Sequence, residues 1–277
     1  MTQGKPQPQV LQVAQGGSGE GVGFYCQDVR CSYQGRRGAV TALDGVSFSV
    51  RPHEFVCVVG PSGCGKSTLL RIIAGLVEPT AGRVMFEGGV GGGRPRGGLV
   101  FQEHATFPWM TVLDNVAFGL EMQGVRRRER RERAMAYVEK VGLARFAHHY
   151  PAELSVGMRQ RVGIGRAFVA NCQLLLMDEP FGSLDAQTRW VLQAELLRIW
   201  AEERKSVVFV THDIQEAVLL ADRVLVMTGH PGRIREDLRI PLERPRDLPR
   251  DQQKIGDLTW QVWRLLEEEV RTGLSIR

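Results

Sequence analysis

The chain has 277 residues, of which 43% are hydrophobic and 24% charged, and its formal net charge is +5 at pH 7. This length allows one large or two small globular domains, and no run approaches the roughly 18 apolar residues that a membrane-spanning helix needs. The first 15 residues also lack the apolar core of a signal peptide. We therefore expect a protein that stays in the cytosol unless a partner holds it at a membrane.

The basic excess and the cysteines bear on possible partners and metals. Much of the excess lies in one run, residues 126–133, with the sequence RRRERRER. We interpret this run as a solvated helix face, near anionic lipid headgroups in one reading, and we expect no nucleic-acid partner. The five cysteines are odd in number and lack paired C-x-x-C spacing, which indicates reduced thiols rather than a zinc site.

In chain order, the first 21 residues are rich in Gln, Gly, Pro and Ser and are predicted to be disordered. Strand patterns then occur at residues 24–32, 47–50, 55–59, 174–177 and 207–210. Helical patterns follow two of these strands, at 66–76 and 214–220. Continuous apolar strands suit a parallel sheet, and the alternation of strands with helices predicts an α/β core within residues 22–247.

Between residues 103 and 170 the strand signals vanish and helical patterns take over. They occupy residues 112–122, 130–141 and 158–169. We predict a helical subdomain, residues 103–170, inserted into the sheet domain. A glycine cluster, 88–98, is typical of a flexible turn between strands. Near the C-terminus, apolar residues at helical spacing predict an amphipathic helix within residues 248–277.

The segment after the strand 55–59 has the phosphate-binding pattern G-x-x-x-x-G-K-[ST] between a strand and a helix. Its residues are Gly60, Pro61, Ser62, Gly63, Cys64, Gly65, Lys66 and Ser67. Glycines let backbone N–H groups surround a phosphate, and the helix N-terminus adds positive potential. We expect Lys66 to reach the β- and γ-phosphates of ATP, Ser67 to offer its hydroxyl to Mg²⁺, and Thr68 to assist at a neighbouring phosphate.

A pair of carboxylates follows the strand 174–177. Asp178 and Glu179 would stand at the carboxyl edge of the sheet, where the phosphates bind. Asp178 would hold the Mg²⁺, and Glu179 would polarise the attacking water as general base. Taken alone, an acidic pair after a strand is more often a turn or a helix cap.

Four further motifs occur in the order found in the ATP-binding-cassette ATPases. They are Phe101-Gln102, the run LSVGMRQR at 154–161, Ser183-Leu184-Asp185 and Thr211-His212-Asp213. Together with the phosphate loop and the acidic pair, they make residues 25–247 resemble this family. The resemblance implies an α/β P-loop NTPase core with an inserted helical subdomain, and ATP hydrolysis with Mg²⁺.

The resemblance also implies roles for three side chains at the nucleotide. Tyr33 would stack on the adenine, Gln102 would ligate Mg²⁺ and sense the membrane subunit, and His212 would contact the γ-phosphate. Taken singly, an aromatic residue at a strand end is more often part of the core, and a histidine there is more often structural.

The signature-like run implies a second ATPase subunit. Ser155 and Gly157 begin a helix whose N–H groups would bind the γ-phosphate held by the opposite subunit, and Asp185 joins the same nucleotide-binding set. Two chains, as a homodimer or a heterodimer, would then make two shared sites.

The family usually has glycine where this chain has Val156, and a β-branched residue disfavours positive φ and adds bulk beside the phosphate. Either the site tolerates valine or hydrolysis is slowed.

Residues 107–116, FPWMTVLDNV, resemble the segment of nitrate, sulfonate and taurine importer ATPases that docks the membrane subunit. We expect Phe107, Trp109 and Met110 to contact a permease; a loop that packs on its own domain is the alternative. An extracytoplasmic substrate-binding protein would act indirectly, through the permease. The expected function is an ATPase at the cytoplasmic face of the cell membrane that energises uptake of a small anion. A non-transport cassette ATPase and a weakly hydrolysing regulatory subunit remain alternatives.

Overall fold

The computed structural model describes residues 21–35, 38–87, 97–100, 106–170, 172–246 and 248–275. Along the chain the strands are β1 (Phe24–Gly35), β2 (Gly38–Val50), β3 (Phe55–Val59), β4 (Ala81–Phe86), β5 (Gly97–Val100), β6 (Leu174–Asp178), β7 (Ser206–Thr211), β8 (Arg223–Met227) and β9 (Ile234–Arg239). The helices are α1 (Lys66–Ala74), α2 (Val112–Met122), α3 (Arg127–Lys140), α4 (Val156–Val169), α5 (Ala186–Glu203), α6 (Ile214–Leu220) and α7 (Leu248–Ser275).

Within the described residues the strands form two sheets. The antiparallel sheet has the order β2-β1-β4, and the larger sheet has the order β5-β6-β7-β3-β8-β9. In the larger sheet every pair is parallel except β8 with β9. The strands β3, β6 and β7 are buried along their whole length, which explains their continuous apolar sequences.

The strand register brings three sequence motifs to one edge of the larger sheet. Val59, at the end of β3, lies opposite Thr211 of β7, and Asp178 of β6 lies opposite Val210. The phosphate-loop pattern follows β3, the acidic pair closes β6, and the histidine motif closes β7. Because parallel strands end at the same edge, the three motifs converge there.

The helices α2, α3 and α4 pack on one another through small and branched apolar side chains. Fully buried residues from all three helices meet there: Val112, Val116, Leu120, Ala134, Val138 and Val162. Four arginines of the basic run form ion pairs with acidic residues of α3 itself and of α2. The ion pairs are Arg128–Glu132, Arg133–Glu129, Arg130–Glu121 and Arg131–Asp114. Arg128 and Arg133 are exposed, as expected of a solvated helix face, whereas Arg130 and Arg131 are half-buried.

The C-terminal helix α7 is amphipathic. Its residues Ile255, Val262 and Leu266 are buried against α6 and β8, whereas Trp260 on another face is exposed. This long helix is therefore a surface element of the fold. In the part of the chain that the structure describes, no helix combines the length and apolar character needed to cross a bilayer.

Two sequence predictions fall largely outside the described residues. Of the N-terminal segment predicted to be disordered, only Gly21 is described, and its N–H donates to His53 Nδ1 at 3.2 Å. Of the glycine cluster 88–98, only Gly97 and Gly98 are described, and they begin β5. The five cysteines are all free and buried: Cys26, Cys31, Cys57, Cys64 and Cys172.

Candidate nucleotide site

The phosphate loop connects β3 to α1 in a conformation that only glycine adopts without strain. Gly63 and Gly65 have φ values of 80° and 101°. A side chain at Gly65 would also come within 2.7 Å of the Ala42 carbonyl oxygen. Lys66 folds back across the loop, where its Nζ donates to the carbonyl oxygens of Gly60 at 2.9 Å and Pro61 at 3.0 Å. The loop thus holds a buried ammonium group beside its backbone.

Asp178 lies next to the first turn of α1. The Ser67 hydroxyl donates to Asp178 Oδ1 at 2.9 Å, so two of the three predicted metal ligands are adjacent. Burial raises the pKa of the Asp178 carboxyl, and the hydrogen bond from Ser67 opposes that rise. A hydroxyl and a carboxylate are hard oxygen donors of the kind that Mg²⁺ takes from proteins in phosphate sites. These residues therefore fit the Mg²⁺ that the resemblance to the cassette ATPases implies.

Glu179 and His212 form the second polar pair of the site. The distance from His212 Nδ1 to Glu179 Oε2 is 2.8 Å. Glu179 has a φ of 45°, in the left-handed region that side chains other than glycine rarely occupy, and its N–H donates to the Val210 carbonyl at 2.9 Å. Backbone strain of this kind concentrates at functional sites. The strained turn directs the Glu179 carboxylate to the histidine.

Tyr33 stands beside the same loop, near the end of β1. Its hydroxyl donates to Thr68 Oγ1 at 3.3 Å, and its side chain is exposed rather than part of the core. An exposed ring next to the phosphate loop is placed where a nucleobase could stack on it. The remaining predicted ligand, Gln102, lies outside the described residues.

The signature-like run begins α4, and the structure corrects one expectation there. Ser155 caps the helix, since its Oγ accepts the Met158 N–H at 3.3 Å. Val156 is the first helical residue and is not among the described non-glycine residues with positive φ. The helix begins at Val156, two residues before the predicted start at 158, so Val156 needs no positive φ. The side chain of Val156 is 38% exposed.

Gly157 and Asp185 both lie next to Thr188. A side chain at Gly157 would come within 2.8 Å of the Thr188 methyl group, so glycine lets α4 approach α5. Asp185 caps α5, where its Oδ1 accepts the Thr188 N–H at 2.9 Å. Hydrogen bonds from Thr188 hold the pKa of the Asp185 carboxyl below its usual value. Ser155, Gly157 and Asp185 therefore form a second group, at the beginnings of two adjacent helices.

The sequence analysis missed Arg189, which joins the two groups. Its Nη1 donates to Asp213 Oδ2 at 3.0 Å, next to His212, and its Nη2 donates to the Leu184 carbonyl at 3.0 Å, next to Asp185. Arg189 comes four residues after Asp185, a spacing that places two side chains on one helix face, but no helix was predicted there from the sequence.

The segment predicted to dock a permease is partly exposed. Trp109 is 70% exposed, whereas the ring of Phe107 lies 4.5 Å from that of Phe118. Asn115, which the sequence analysis did not single out, is fully buried beneath the segment. Its Oδ1 accepts the Phe107 N–H at 2.8 Å, and its Nδ2 lies within 3.1 Å of the carbonyl oxygens of Phe107, Met110 and Thr111. A buried amide therefore fixes the loop that carries the exposed tryptophan.

Comparison with known proteins identifies the family of this chain. Residues 43–182 match the family described as ABC transporter. The chain is 46% identical over 226 residues to the nitrate import ATP-binding protein NrtD of a Synechocystis species, covering 81% of this chain and 85% of that protein. It is 52% identical over 204 residues to the taurine import ATP-binding protein TauB of Burkholderia thailandensis, covering 73% and 78%.

Among solved structures, a dimeric bacterial ABC transporter cassette superimposes with a TM-score of 0.69 at 32% identity. The match covers 79% of this chain and all of that cassette. It confirms the predicted α/β fold of a P-loop NTPase. The family match and the relatives show that this chain belongs to the ATP-binding proteins of the ABC transporter family.

Proposed function

We propose that this chain hydrolyses MgATP as the ATPase subunit of an ABC importer that takes up a small anion. The observation that carries the proposal is the convergence of Lys66, the Ser67–Asp178 pair and the Glu179–His212 pair at one sheet edge. The relatives are named for import of nitrate, an anion, and of taurine, a zwitterion with a sulfonate group, which supports a small substrate that carries an anionic oxygen group. The chain would work at the cytoplasmic face of the membrane, held there by a permease.

Some of these residues would bind the phosphates and the metal, and others would accept the proton of the attacking water. Lys66 exchanges its two carbonyl acceptors for phosphate oxygens, which carry full negative charge and accept more strongly. Ser67 and Asp178 would hold Mg²⁺, which when bound neutralises charge on the β- and γ-phosphates. Glu179 takes the proton of the attacking water, and His212 orients that carboxylate through the bond from Nδ1.

Replacement of Glu179 by glutamine tests this assignment. The amide cannot accept the water proton, whereas Lys66 and Ser67 are left in place, so ATP binding should persist while turnover falls about 100-fold or more. Glu236→Gln, on the exposed strand β9, is the matched control and should keep the wild-type rate. Near-normal hydrolysis by Glu179→Gln would remove Glu179 from its role, and a wild-type chain that binds no ATP would refute the function itself.

Two chains would share two nucleotides. Ser155 and Gly157 lie at the N-terminus of α4, where N–H groups and the helix dipole attract a phosphate. The similar cassette of known structure is described as dimeric, which supports pairing of this chain with a second ATPase subunit. Glu179→Gln should therefore change from monomer to dimer in analytical ultracentrifugation when MgATP is added. A sedimentation coefficient that MgATP leaves unchanged would contradict shared sites between two copies.

The permease would dock on the surface around Phe107, Trp109 and Met110. Trp109 offers a large exposed apolar area, and interface anchors of this type contribute roughly 2 kcal/mol or more. Trp109→Ala should preserve folding and basal ATPase activity but lower both permease-stimulated ATPase activity and uptake in proteoliposomes. Trp260→Ala, on α7, removes an equally large exposed side chain elsewhere and serves as control. Unchanged uptake with Trp109→Ala would refute this docking surface.

A further inference from the structure

The loop between β8 and β9, residues 228–232, lies directly against the phosphate loop. The Gly232 N–H donates to the Ala42 carbonyl at 3.0 Å, and the Asp44 N–H donates to the Gly232 carbonyl at 3.0 Å. Any side chain at position 232 would overlap the Cys64 carbonyl oxygen. The 228–232 loop and the neighbouring part of β2 therefore support the phosphate loop from outside the nucleotide motif.

The beginning of the phosphate loop contacts the same part of the fold. A side chain at Gly60 would lie 3.0 Å from Cβ of Met227, the last residue of β8. The 228–232 loop is cross-linked internally by Thr228, whose Oγ1 accepts the Arg233 N–H at 3.0 Å. The phosphate loop thus rests on the end of β8 and on the tight turn formed by residues 228–232.

The C-terminal helix holds this turn in place. Glu269 of α7 accepts the Gly229 N–H through Oε2 at 2.8 Å, and its other oxygen, Oε1, is 3.3 Å from Arg235 Nη1. The carboxylate is partly buried, which strengthens a hydrogen bond from a backbone amide. The helix α7 lies outside the residues 43–182 that match the family, so this contact is separate from the nucleotide motifs.

We infer that Glu269 is a positioning residue for ATP binding: through Gly229 it fixes the 228–232 loop, which in turn fixes the phosphate loop. This inference rests on the proposed ATPase function. A phosphate loop binds through several backbone N–H groups at once, so a loop held in its binding shape loses less conformational freedom when ATP arrives. Loosening the turn should therefore weaken binding more than it slows the chemical step.

Three substitutions at this position separate the hydrogen bond from the charge. Glu269→Gln keeps an oxygen at the same reach but loses the charge that pairs with Arg235. Glu269→Asp keeps the charge but withdraws the oxygen by about 1.5 Å, the length of one C–C bond. Glu269→Ala removes both. The matched control is Glu268→Ala, because Glu268 pairs with the same arginine at 3.0 Å from a largely exposed position.

The test measures the ATP dissociation constant by titration calorimetry, KM and kcat for ATP hydrolysis, and the unfolding temperature of each variant. Glu269→Ala and Glu269→Asp should raise the dissociation constant and KM about 2- to 10-fold, the range of one hydrogen bond, while kcat stays within about twofold. Glu269→Gln and Glu268→Ala should match the wild type in ATP affinity.

An unchanged KM in Glu269→Asp would overturn the inference, and so would an equal rise in Glu268→Ala. If Glu269→Ala does not fold, Glu269→Asp and Glu269→Gln decide the question, because both retain a polar group at the site. A fall in kcat and unfolding temperature with unchanged ATP affinity would show that Glu269 only anchors α7. Failure of the wild-type protein to bind ATP would refute the proposed function instead, so the two outcomes are distinguishable.

Discussion

Asn115→Ala tests how the exposed Trp109 is presented. Asn115 is fully buried, and the substitution removes both of its polar atoms. Oδ1 accepts the Phe107 N–H, and Nδ2 donates to the carbonyl oxygens of three residues of the same segment. A net hydrogen bond contributes about 1 kcal/mol, and the buried groups left behind add a cost, so the free energy of unfolding should fall by about 3 kcal/mol. Urea denaturation should show a lower midpoint at an unchanged m-value.

The same variant should also weaken the coupling between the permease and ATP hydrolysis. With the loop freed, permease-stimulated ATPase activity should fall, while basal activity persists at temperatures where the variant is folded, because the nucleotide site is untouched. Trp109→Ala is the matched comparison: it should reduce stimulation with a change in the free energy of unfolding of less than about 0.5 kcal/mol. Wild-type stability in Asn115→Ala, or normal stimulation by the permease, would refute the idea that this amide shapes the docking loop.

Two other substitutions test the nucleotide site. Val156→Gly should change the ATPase rate less than about twofold, because Val156 is helical and needs no positive φ; a larger increase would show that its bulk hinders closure. Asp178→Asn should raise the unfolding temperature at pH 7 while abolishing hydrolysis. Burial raises the pKa of Asp178, so the ionised carboxyl destabilises the fold above the unfolded pKa, and that cost is relieved as pH falls. Equal unfolding temperatures for the wild type and Asp178→Asn at pH 7 would contradict this prediction.

The elements that could be predicted from the sequence are those whose apolar periodicity is clear within the element itself. The strand at 55–59 and the helices at 112–122 and 214–220 have the predicted bounds, because apolar periodicity and flanking turn residues are both strong there. The predicted helix at 66–76 ends earlier, at Ala74, where Gly75 takes a left-handed conformation and closes the helix. The strand β9 was missed because its buried and exposed residues do not alternate strictly.

The site was predicted where chemistry and spacing coincide, and missed where contacts join distant parts of the chain. Lys66, Asp178 and Glu179 were predicted from their positions after strands together with the motifs around them, and the structure brings them to one edge of the sheet. The contacts of Arg189, Asn115 and Glu269 depend on packing between helices and loops, which no local pattern encodes. Their roles follow only from the distances that the fold brings about.

The five sequestered thiols provide reporters of local opening. They lie in the small sheet, the centre of the large sheet, the phosphate loop and the approach to β6: Cys26, Cys31, Cys57, Cys64 and Cys172. A buried thiol with a pKa raised by desolvation, as at Cys57, reacts with an alkylating reagent only when its surroundings open. Timed alkylation followed by peptide mass spectrometry would therefore rank the opening free energies of these regions, with no substitution in the chain.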